Sequence, residues 1–275
     1  MSGNGIVSIV IPSRNEKYLK RTIEDLLVKA KGNVQIIAVL DGYWPPVDEI
    51  VSDPRVSYIH FEKSKGMRNA INAGAAVLAS GEYLMKIDAH CMVAEGYDLA
   101  LKADCQDNWV VVPRRKRLDP DKWALTETQK PDVDYMYLSN DLHGVIWPKT
   151  DGPEIDDLMS FQGSCWFMKK AYFDYLELMD EKNYGTFPQE AQEIGLKCWL
   201  SGGRVVVNKK TFYSHWHKPK TIGRGYHLEG SEVTKGEAYT KKWLTEKVFS
   251  KQIYDMKWLI KHFWPVPTWP EAYVK

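Results

Sequence analysis

Residues 65–91 read KGMRNAINAGAAVLASGEYLMKIDAHC and contain the clearest α/β pattern in the chain. Their alanine-rich first half predicts a helix, Gly81 interrupts it, and Tyr83–Ile87 is an apolar run of strand length. The run ends at Asp88, which one alanine separates from His90. A helix followed by a buried strand that ends in polar residues is the repeating unit of an α/β sheet, so this stretch predicts that fold class.

The same pattern occurs before this stretch. Ile6–Ile11 and Val34–Leu40 are continuous apolar runs, and apolar residues at helical spacing lie between them. Polar residues follow both runs, SRNE at 13–16 and an aspartate at Asp41. Since ligands of open α/β sheets bind at the carboxyl ends of the strands, residues 1–113 are predicted to form a nucleotide-binding half.

Asp88 and His90 form a D-x-H motif at the end of a predicted central strand. Residues i and i+2 of an extended segment point to the same side, so the carboxylate and the imidazole can face one point. This pair suits Mn²⁺ better than Mg²⁺, which prefers oxygen ligands. A third ligand is available from the histidine-rich turn SHWH at 214–217. The alternative is an aspartate that caps a helix beside an ordinary histidine.

Composition and missing motifs exclude several classes of protein. The chain has 275 residues, 44% hydrophobic and 27% charged, which is typical of a globular protein. Its four cysteines form no C-x-x-C pair, and free thiols suit a reducing compartment. No apolar run approaches the roughly 18 residues that span a bilayer, so we expect a cytoplasmic protein without a membrane partner. A Walker loop and a G-x-G-x-x-G after the first strand are absent, which argues against P-loop and dinucleotide-binding enzymes.

Charge is distributed unevenly along the chain. The formal net charge is +1, but residues 205–265 contain twelve lysines and arginines against five acids, while residues 1–204 carry an excess of acids. The basic region is also rich in tryptophan, tyrosine and phenylalanine. It is interpreted either as a solvated cationic surface over an aromatic core or as a surface that binds an anionic acceptor and stacks flat groups.

Six segments match, in the right order, the motifs of one family: IVSIVIPSRNE (6–16), IIAVLDG (36–42), the stretch at 65–91, FQGSCWFMKKAYF (161–173), QEAQEIGLKCWLSGG (189–203) and SHWHK (214–218). They resemble the nucleotide-diphospho-sugar glycosyltransferases of the GT-A fold, family-2-like. The chain is most similar to polypeptide N-acetylgalactosaminyltransferases, whose metal motif is D-x-H with a downstream histidine. It is also similar to phage-type enzymes that glycosylate hydroxymethylated pyrimidines in DNA.

The resemblance implies an α/β GT-A fold, with a mostly parallel central sheet flanked by helices. It covers a glycosyltransferase domain at 1–220, divided into the nucleotide-binding half at 1–113 and an acceptor half at 114–220. Residues 221–275 are then a basic, aromatic-rich C-terminal extension. Nothing in the sequence indicates the oligomeric state.

Ligand roles are also implied by the resemblance. Asp88, His90 and His215 would hold Mn²⁺ or Mg²⁺. The expected contacts with a UDP-sugar donor are Pro12, Arg14 and Glu16 around the nucleoside, Asp41 at the uracil, Arg68 and Asn69 near the ribose and diphosphate, Gly163 and Ser164 beside the sugar, and Lys218 on the diphosphate.

Glu190 and Glu193 are the candidate catalytic carboxylates. They are three residues apart on a predicted helix and share one face, so either can act as a base towards the acceptor hydroxyl. Glu190 is favoured because it is nearer the helix start. The alternative is that both are solvated charges paired with Lys197. Inverting family-2 enzymes carry Glu-Asp here, whereas this chain has Glu190-Ala191, so no stereochemistry is predicted.

The predicted activity is the metal-dependent transfer of a sugar from a UDP-sugar to an acceptor hydroxyl. The basic aromatic region and the run Arg114–Arg117 favour a polyanion, and the expected acceptor is a 5-hydroxymethylated pyrimidine in DNA. The expected location is then the cytoplasm, that of the host if the chain is phage-encoded. The alternatives are a protein or glycan acceptor and an inactive nucleotide-sugar-binding module.

Overall fold

The computed structural model describes residues 4–127, 132–149, 151–219, 221, 223–224 and 226–275. In these ranges the strands are β1 Val7–Ser13, β2 Val34–Asp41, β3 Val56–Phe61, β4 Tyr83–Ile87, β5 Cys91–Val93, β6 Trp109–Asp119, β7 Ala124–Leu125, β8 Met136–Leu138, β9 Gly144–Ile146, β10 Ile155–Asp157, β11 Cys165–Lys169 and β12 Arg204–His215. The α-helices are α1 Leu19–Lys29, α2 Met67–Ala73, α3 Tyr97–Ala103, α4 Lys170–Tyr175, α5 Glu181–Tyr184, α6 Glu190–Leu200, α7 Gly230–Lys241 and α8 Met256–His262.

The strands predicted in the first ninety residues are confirmed, and they form the parallel part of the sheet. β1 pairs in parallel with β2 on one side and β4 on the other, and β2 pairs in parallel with β3. β1, β2 and β4 are buried almost throughout, which explains their continuous apolar runs, and the edge strand β3 is mainly half-buried. β1 continues through Pro12 to Ser13. The polar residues that follow β1, β2 and β4 therefore meet at one edge.

The second half makes the sheet mixed, where a mostly parallel sheet was expected. β11 lies antiparallel between β4 and β6, β12 runs parallel to β6, and β10 closes the edge antiparallel to β12. Between β6 and β11 the described residues contain only short strands and loops. This described part of the connection therefore contains no helical crossover of the kind that normally leads to a parallel neighbour. The α/β class and the GT-A architecture are confirmed.

The C-terminal segment, residues 226–275, packs into the main hydrophobic core. Trp243, Leu259, Ile260 and Trp269 are buried in the cluster that also contains Trp166 of β11. Many aromatic side chains of the basic region thus belong to the core, as the first of the two interpretations stated. A boundary at residue 220 stays a prediction from sequence. No helix in the described part of the chain is long and apolar enough to cross a membrane.

Candidate active site

A cavity of about 510 Å³ opens where β1, β2 and β4 end, a volume typical of a small-molecule site. Most of the residues expected at a metal or nucleotide line it: Pro12, Arg14, Glu16, Asp41, Asp88, His90, His215 and Lys218. The antiparallel pairing of β12 with β5 places His215 opposite Cys91, directly beside the D-x-H motif. Sheet topology therefore brings together residues that are more than a hundred positions apart in sequence.

Asp88, His90 and His215 converge on one point in this cavity. Nε2 of His90 lies 3.1 Å from Nε2 of His215, and the latter atom lies 3.2 Å from Oδ2 of Asp88. One ligand atom from each residue lies within 4.8 Å of the others. Two facing imidazole nitrogens share at most one proton, whereas a cation between them would accept a lone pair from each. The donor set of two imidazoles and one carboxylate therefore fits Mn²⁺.

Protonation states in this group suit metal binding. Burial lowers the pKa of His215 to about 4, against an opposing hydrogen bond with Asp88, so its imidazole is neutral at pH 7. Burial also disfavours ionisation of Asp88, but the Lys86 ammonium and His215 outweigh it and lower the pKa of that carboxyl. Metal ligands must be deprotonated, and both groups meet that condition near neutral pH.

Glu16 fixes the orientation of His90. Nδ1–H of His90 donates to Oε2 of Glu16 at 3.0 Å, which leaves Nε2 facing His215. Lys218 forms an ion pair with the second oxygen of the same carboxylate. A carboxylate behind a ligating histidine is a common support of metal sites. Glu16 was expected at the nucleoside; it lines the cavity and has these two partners, and its contact with a nucleoside stays a prediction.

Lys86 is a buried cation that the sequence analysis treated as part of an apolar strand. Its Nζ donates to Asp88 Oδ1 at 2.7 Å, to the Gly163 carbonyl at 2.6 Å and to Glu190 Oε2 at 3.2 Å. Burial favours the neutral amine, but the carboxylates of Asp88 and Glu190 raise the pKa of Lys86, which stays charged. Lys86 thus links a predicted metal ligand to a predicted catalytic carboxylate. In the sequence, the indication of this role was a lysine within an otherwise apolar central strand.

Glu190 lies at the first turn of α6, behind the cavity wall. It accepts a hydrogen bond from the Trp166 indole at 2.7 Å, and burial raises the pKa of its carboxyl, with Lys86 opposing. A Cβ added at Gly163 would overlap the Glu190 carboxylate, so this glycine allows their close contact. The Ser164 carbonyl accepts a hydrogen bond from the Asp88 amide at 2.9 Å. Gly163 and Ser164 therefore support Asp88 and Glu190, and neither lines the cavity in the described structure.

Glu193 and Arg68 are completely buried and form an ion pair with each other. Glu193 also contacts Lys197 at 2.8 Å, so the predicted pairing with this lysine holds for Glu193 in the interior, not at a solvated surface. Arg68 donates to the Pro188 carbonyl at 2.6 Å. The role expected for Arg68 at the ribose and diphosphate needs correction, because a guanidinium enclosed in this way does not reach the cavity.

Asn69 also points away from the cavity, and its side chain donates to the Lys65 carbonyl at 3.1 Å. At this end of α2, Gly66, Met67 and Ala70 line the cavity. Because of the helical period, Asn69 lies on a different face of the helix.

Asp41 lines the cavity, but its carboxylate is used by the loop that precedes α2. It accepts hydrogen bonds from Ser64 Oγ at 2.7 Å, Lys65 N at 2.6 Å and Gly66 N at 3.0 Å. Asp41 is 3% exposed. It thus positions the loop against which a nucleobase would lie, and a direct hydrogen bond to uracil stays a prediction.

One wall of the cavity is formed by the chain after β12 and was not predicted from the sequence. Trp216, His217, Arg224 and Tyr226 all line it. The guanidinium of Arg14 lies over the Tyr226 ring, 4.3 Å from its centroid, a cation–π contact that joins this wall to the loop after β1. In the sequence, the high density of aromatic residues after His215 was the only indication of this wall. Which of these residues reach the cavity depends on the tertiary fold.

Comparison with known proteins identifies the sequence relatives. Residues 8–176 match the family model described as glycosyl transferase family 2. The chain is 26% identical over 236 residues to putative polypeptide N-acetylgalactosaminyltransferase 13 of Drosophila melanogaster, with 73% of this chain and 40% of that protein covered. It is 25% identical over 228 residues to polypeptide N-acetylgalactosaminyltransferase 5 of Caenorhabditis elegans, with 73% and 35% covered. The chain thus spans well under half the length of these two relatives.

Solved structures support the same fold. A crystal structure of GalNAc-T7 with UDP, GalNAc and Mn²⁺ superposes with a TM-score of 0.73 at 17% identity, covering 88% of this chain and 48% of that one. The crystal structure of S. aureus TarS gives a TM-score of 0.53 at 13% identity, covering 78% of this chain and 37% of the other. At these identities the likeness is one of fold.

Proposed function

Because the chain belongs to glycosyl transferase family 2, we propose that it is a metal-dependent glycosyltransferase that uses a UDP-sugar donor. The observation that carries this proposal is the convergence of Asp88, His90 and His215 in a cavity at the carboxyl ends of the parallel strands. A solved structure of the same fold carries UDP and Mn²⁺. The absence of a Walker loop and of a dinucleotide fingerprint argues against P-loop and dinucleotide-binding enzymes.

The reaction exchanges one bond at the anomeric carbon. The acceptor oxygen forms a bond to that carbon, the bond to the diphosphate oxygen breaks, and its electron pair leaves with UDP. The acceptor hydroxyl releases one proton. A bound Mn²⁺ would offset the charge that develops on the diphosphate. Lys218 and Arg14, which line the same cavity, add positive charge from the protein.

Glu190 is proposed as the carboxylate that serves the reaction, and Glu193 is not. Glu190 touches Gly163 and Lys86, next to the predicted metal ligand Asp88. Glu193 has no exposed side-chain surface and is held by Arg68 and Lys197. A general base must come within hydrogen-bond reach of a substrate proton, and of the two glutamates only Glu190 belongs to a cluster that reaches the cavity, through Asp88.

A protein hydroxyl is proposed as the acceptor, in place of the modified DNA expected from sequence. Both curated relatives described above are named polypeptide N-acetylgalactosaminyltransferases. The features that favoured DNA are weaker in the structure, because several aromatic side chains of the C-terminal region, Trp243 among them, are buried in the core. In addition, Arg114 and Lys116 are paired with Asp134 and Asp132. Supporting evidence for a DNA acceptor is therefore confined to the overall charge distribution.

The test is UDP release from a panel of UDP-sugars with Mn²⁺, in the presence of threonine-containing peptides or of duplex DNA containing hydroxymethylcytosine. We expect slow release without acceptor, faster release with peptide and none after chelation of the metal. His215→Ala should abolish turnover. The matched control is His143→Ala, because His143 is 46% exposed and lies outside the cavity. Absence of UDP release with every donor would contradict the proposal, and stimulation by the DNA alone would return the acceptor to nucleic acid.

A further inference from the structure

The cavity extends across the sheet in a fixed order of strands. β2, β1, β4 and β11 are successive neighbours, and β11 runs antiparallel to β4, so that it starts at the edge where the other three end. Asp41 ends β2, Arg14 follows β1, Asp88 follows β4 and Gln162 lies just before β11. All four residues line the cavity. Because the strands are ordered in this way, Gln162 lies on the far side of Asp88 from Asp41.

The groups of a bound UDP-sugar are expected in the same order. Under the proposed function the nucleoside lies at the ends of β1 and β2, and the diphosphate lies at the metal ligands, which include Asp88. The diphosphate joins the nucleoside to the sugar, so the sugar is expected beyond Asp88, towards Gln162. Gln162 therefore lines the part of the cavity that the transferred sugar would occupy.

The segment that leads into β11 is held tightly against the predicted metal ligand. The Ser164 carbonyl accepts a hydrogen bond from the Asp88 amide at 2.9 Å, and the Gly163 carbonyl accepts one from the buried ammonium group of β4 at 2.6 Å. Gln162 is the member of the segment 161–164 that lines the cavity. The bonds of the two residues that follow it therefore fix the backbone from which its side chain reaches the cavity wall.

The amide group of Gln162 presents its nitrogen to the cavity. Its Oε1 atom is buried and has no hydrogen-bond partner. Gln162 also borders a small neighbouring cavity of about 10 Å³, together with Ser160 and Arg115, which has room for about one water molecule. Nε2 forms no hydrogen bond within the part of the chain that the structure describes, and it is not enclosed as Oε1 is. Since the two atoms lie on opposite sides of the carboxamide, the N–H groups are available to a ligand in the larger cavity.

We infer that Gln162 donates a hydrogen bond from Nε2 to an oxygen of the transferred sugar and thereby contributes to donor selection. This inference rests on the proposed function, in which the donor is a UDP-sugar. A neutral N–H group suits a hydroxyl or acetamido oxygen, whereas Lys218 and Arg14 supply the charged groups that bind phosphate oxygens more strongly. A site that bonds a sugar oxygen discriminates against a donor that lacks it, because the N–H group is then left unpaired.

The experiment compares the affinity for UDP with the affinity for UDP-sugars, because only the UDP-sugars contain the group that Gln162 is inferred to contact. Calorimetry with Mn²⁺ measures the binding of UDP, UDP-GalNAc and UDP-glucose to the wild type, to Gln162→Ala and to Gln162→Met, which keeps the side-chain length but removes the N–H donors. We expect both variants to bind the preferred UDP-sugar about fivefold more weakly, roughly 1 kcal/mol, and to keep the wild-type affinity for UDP. Gln192→Ala, at a half-buried glutamine of α6 outside the lining of the cavity, should keep both affinities.

Unchanged affinity of both Gln162 variants for both UDP-sugars would overturn the inference. An equal loss of affinity for UDP would assign Gln162 to the nucleotide, and a raised KM for the threonine-containing peptide at unchanged donor binding would assign it to the acceptor. Either result also overturns the inference, as does a wild type that binds UDP but neither UDP-sugar. Failure of the wild type to bind any of the three nucleotides and to release UDP would instead contradict the proposed function.

Discussion

Two buried ion clusters flank the start of α6, and each contains one of two glutamates that are three residues apart. The site cluster, Lys86, Asp88 and Glu190, lies against the cavity, and its Asp88 side chain is 25% exposed. The core cluster, Arg68, Glu193 and Lys197, is closed, with Arg68 and Glu193 fully buried. Residue type and helical spacing therefore do not distinguish the carboxylate proposed to react from the structural one. Connection of the cluster to the open cavity, which the site cluster has through Asp88, does.

The largest expected effect comes from opening the core cluster with Glu193→Gln. Removing one partner of a buried ion pair leaves uncompensated charge, and we expect the free energy of unfolding to fall by about 3–5 kcal/mol. Urea denaturation measures this loss. UDP release per folded molecule should change little, because Glu193 lies outside the cavity. A large loss of turnover at unchanged stability would mean that Glu193 takes part in the reaction. It would contradict the assignment of the core cluster as purely structural.

Asp88→Asn tests the site cluster at its exposed end. The amide keeps the shape of the carboxylate but removes the charge offered to a cation, and we expect kcat to fall by about 10²- to 10³-fold. Mn²⁺ affinity, measured by calorimetry, should fall with it. Normal Mn²⁺ binding together with normal turnover would remove Asp88 from the metal site.

Glu190→Gln compares most directly with Glu193→Gln, since both changes are made on one helix. We expect kcat to fall by about 10²-fold with a smaller loss of stability than in Glu193→Gln, because the cluster of Glu190 is open to the cavity through Asp88 while Glu193 is enclosed. The pair of variants is measured by the same turnover and denaturation assays. An equal ratio of activity loss to stability loss in the two variants would contradict the functional difference between the two clusters.

Glu16→Gln tests the support that this carboxylate gives to the site cluster, and its effect should be the mildest of the four. Glu16 orients His90 through a hydrogen bond at 3.0 Å and does not face the metal position itself. We expect Mn²⁺ to bind about 10- to 100-fold more weakly, with the unfolding transition little changed. An Mn²⁺ affinity equal to that of the wild type would mean that Glu16 holds Lys218 in an ion pair but does not support the metal site.

The sequence predicted those features that depend on local pattern. Apolar runs located β1, β2 and β4, and the i, i+2 spacing placed Asp88 and His90 on one side of the strand end. His215 was found through the family motif, because nothing local links it to Asp88. These predictions needed no knowledge of which helix faces which layer.

The remaining features depend on tertiary contacts. α6 is buried almost all round, so no polar stripe indicates that Glu193 faces Arg68 while Glu190 faces Lys86. The aromatic residues of the C-terminal segment were given a possible surface role from composition, but Trp243 and Trp269 complete the core. Likewise the four cations of Arg114–Arg117 form one run in sequence, and only the structure shows that two of them are paired.

Titration of the protein with Mn²⁺ by calorimetry tests the metal site most directly, using wild type, His215→Ala and the exposed control His143→Ala. We predict that the wild type and the control bind one Mn²⁺ with equal affinity and that His215→Ala loses this binding. The same stoichiometry and affinity in His215→Ala would contradict the assignment of Asp88, His90 and His215 as the metal site.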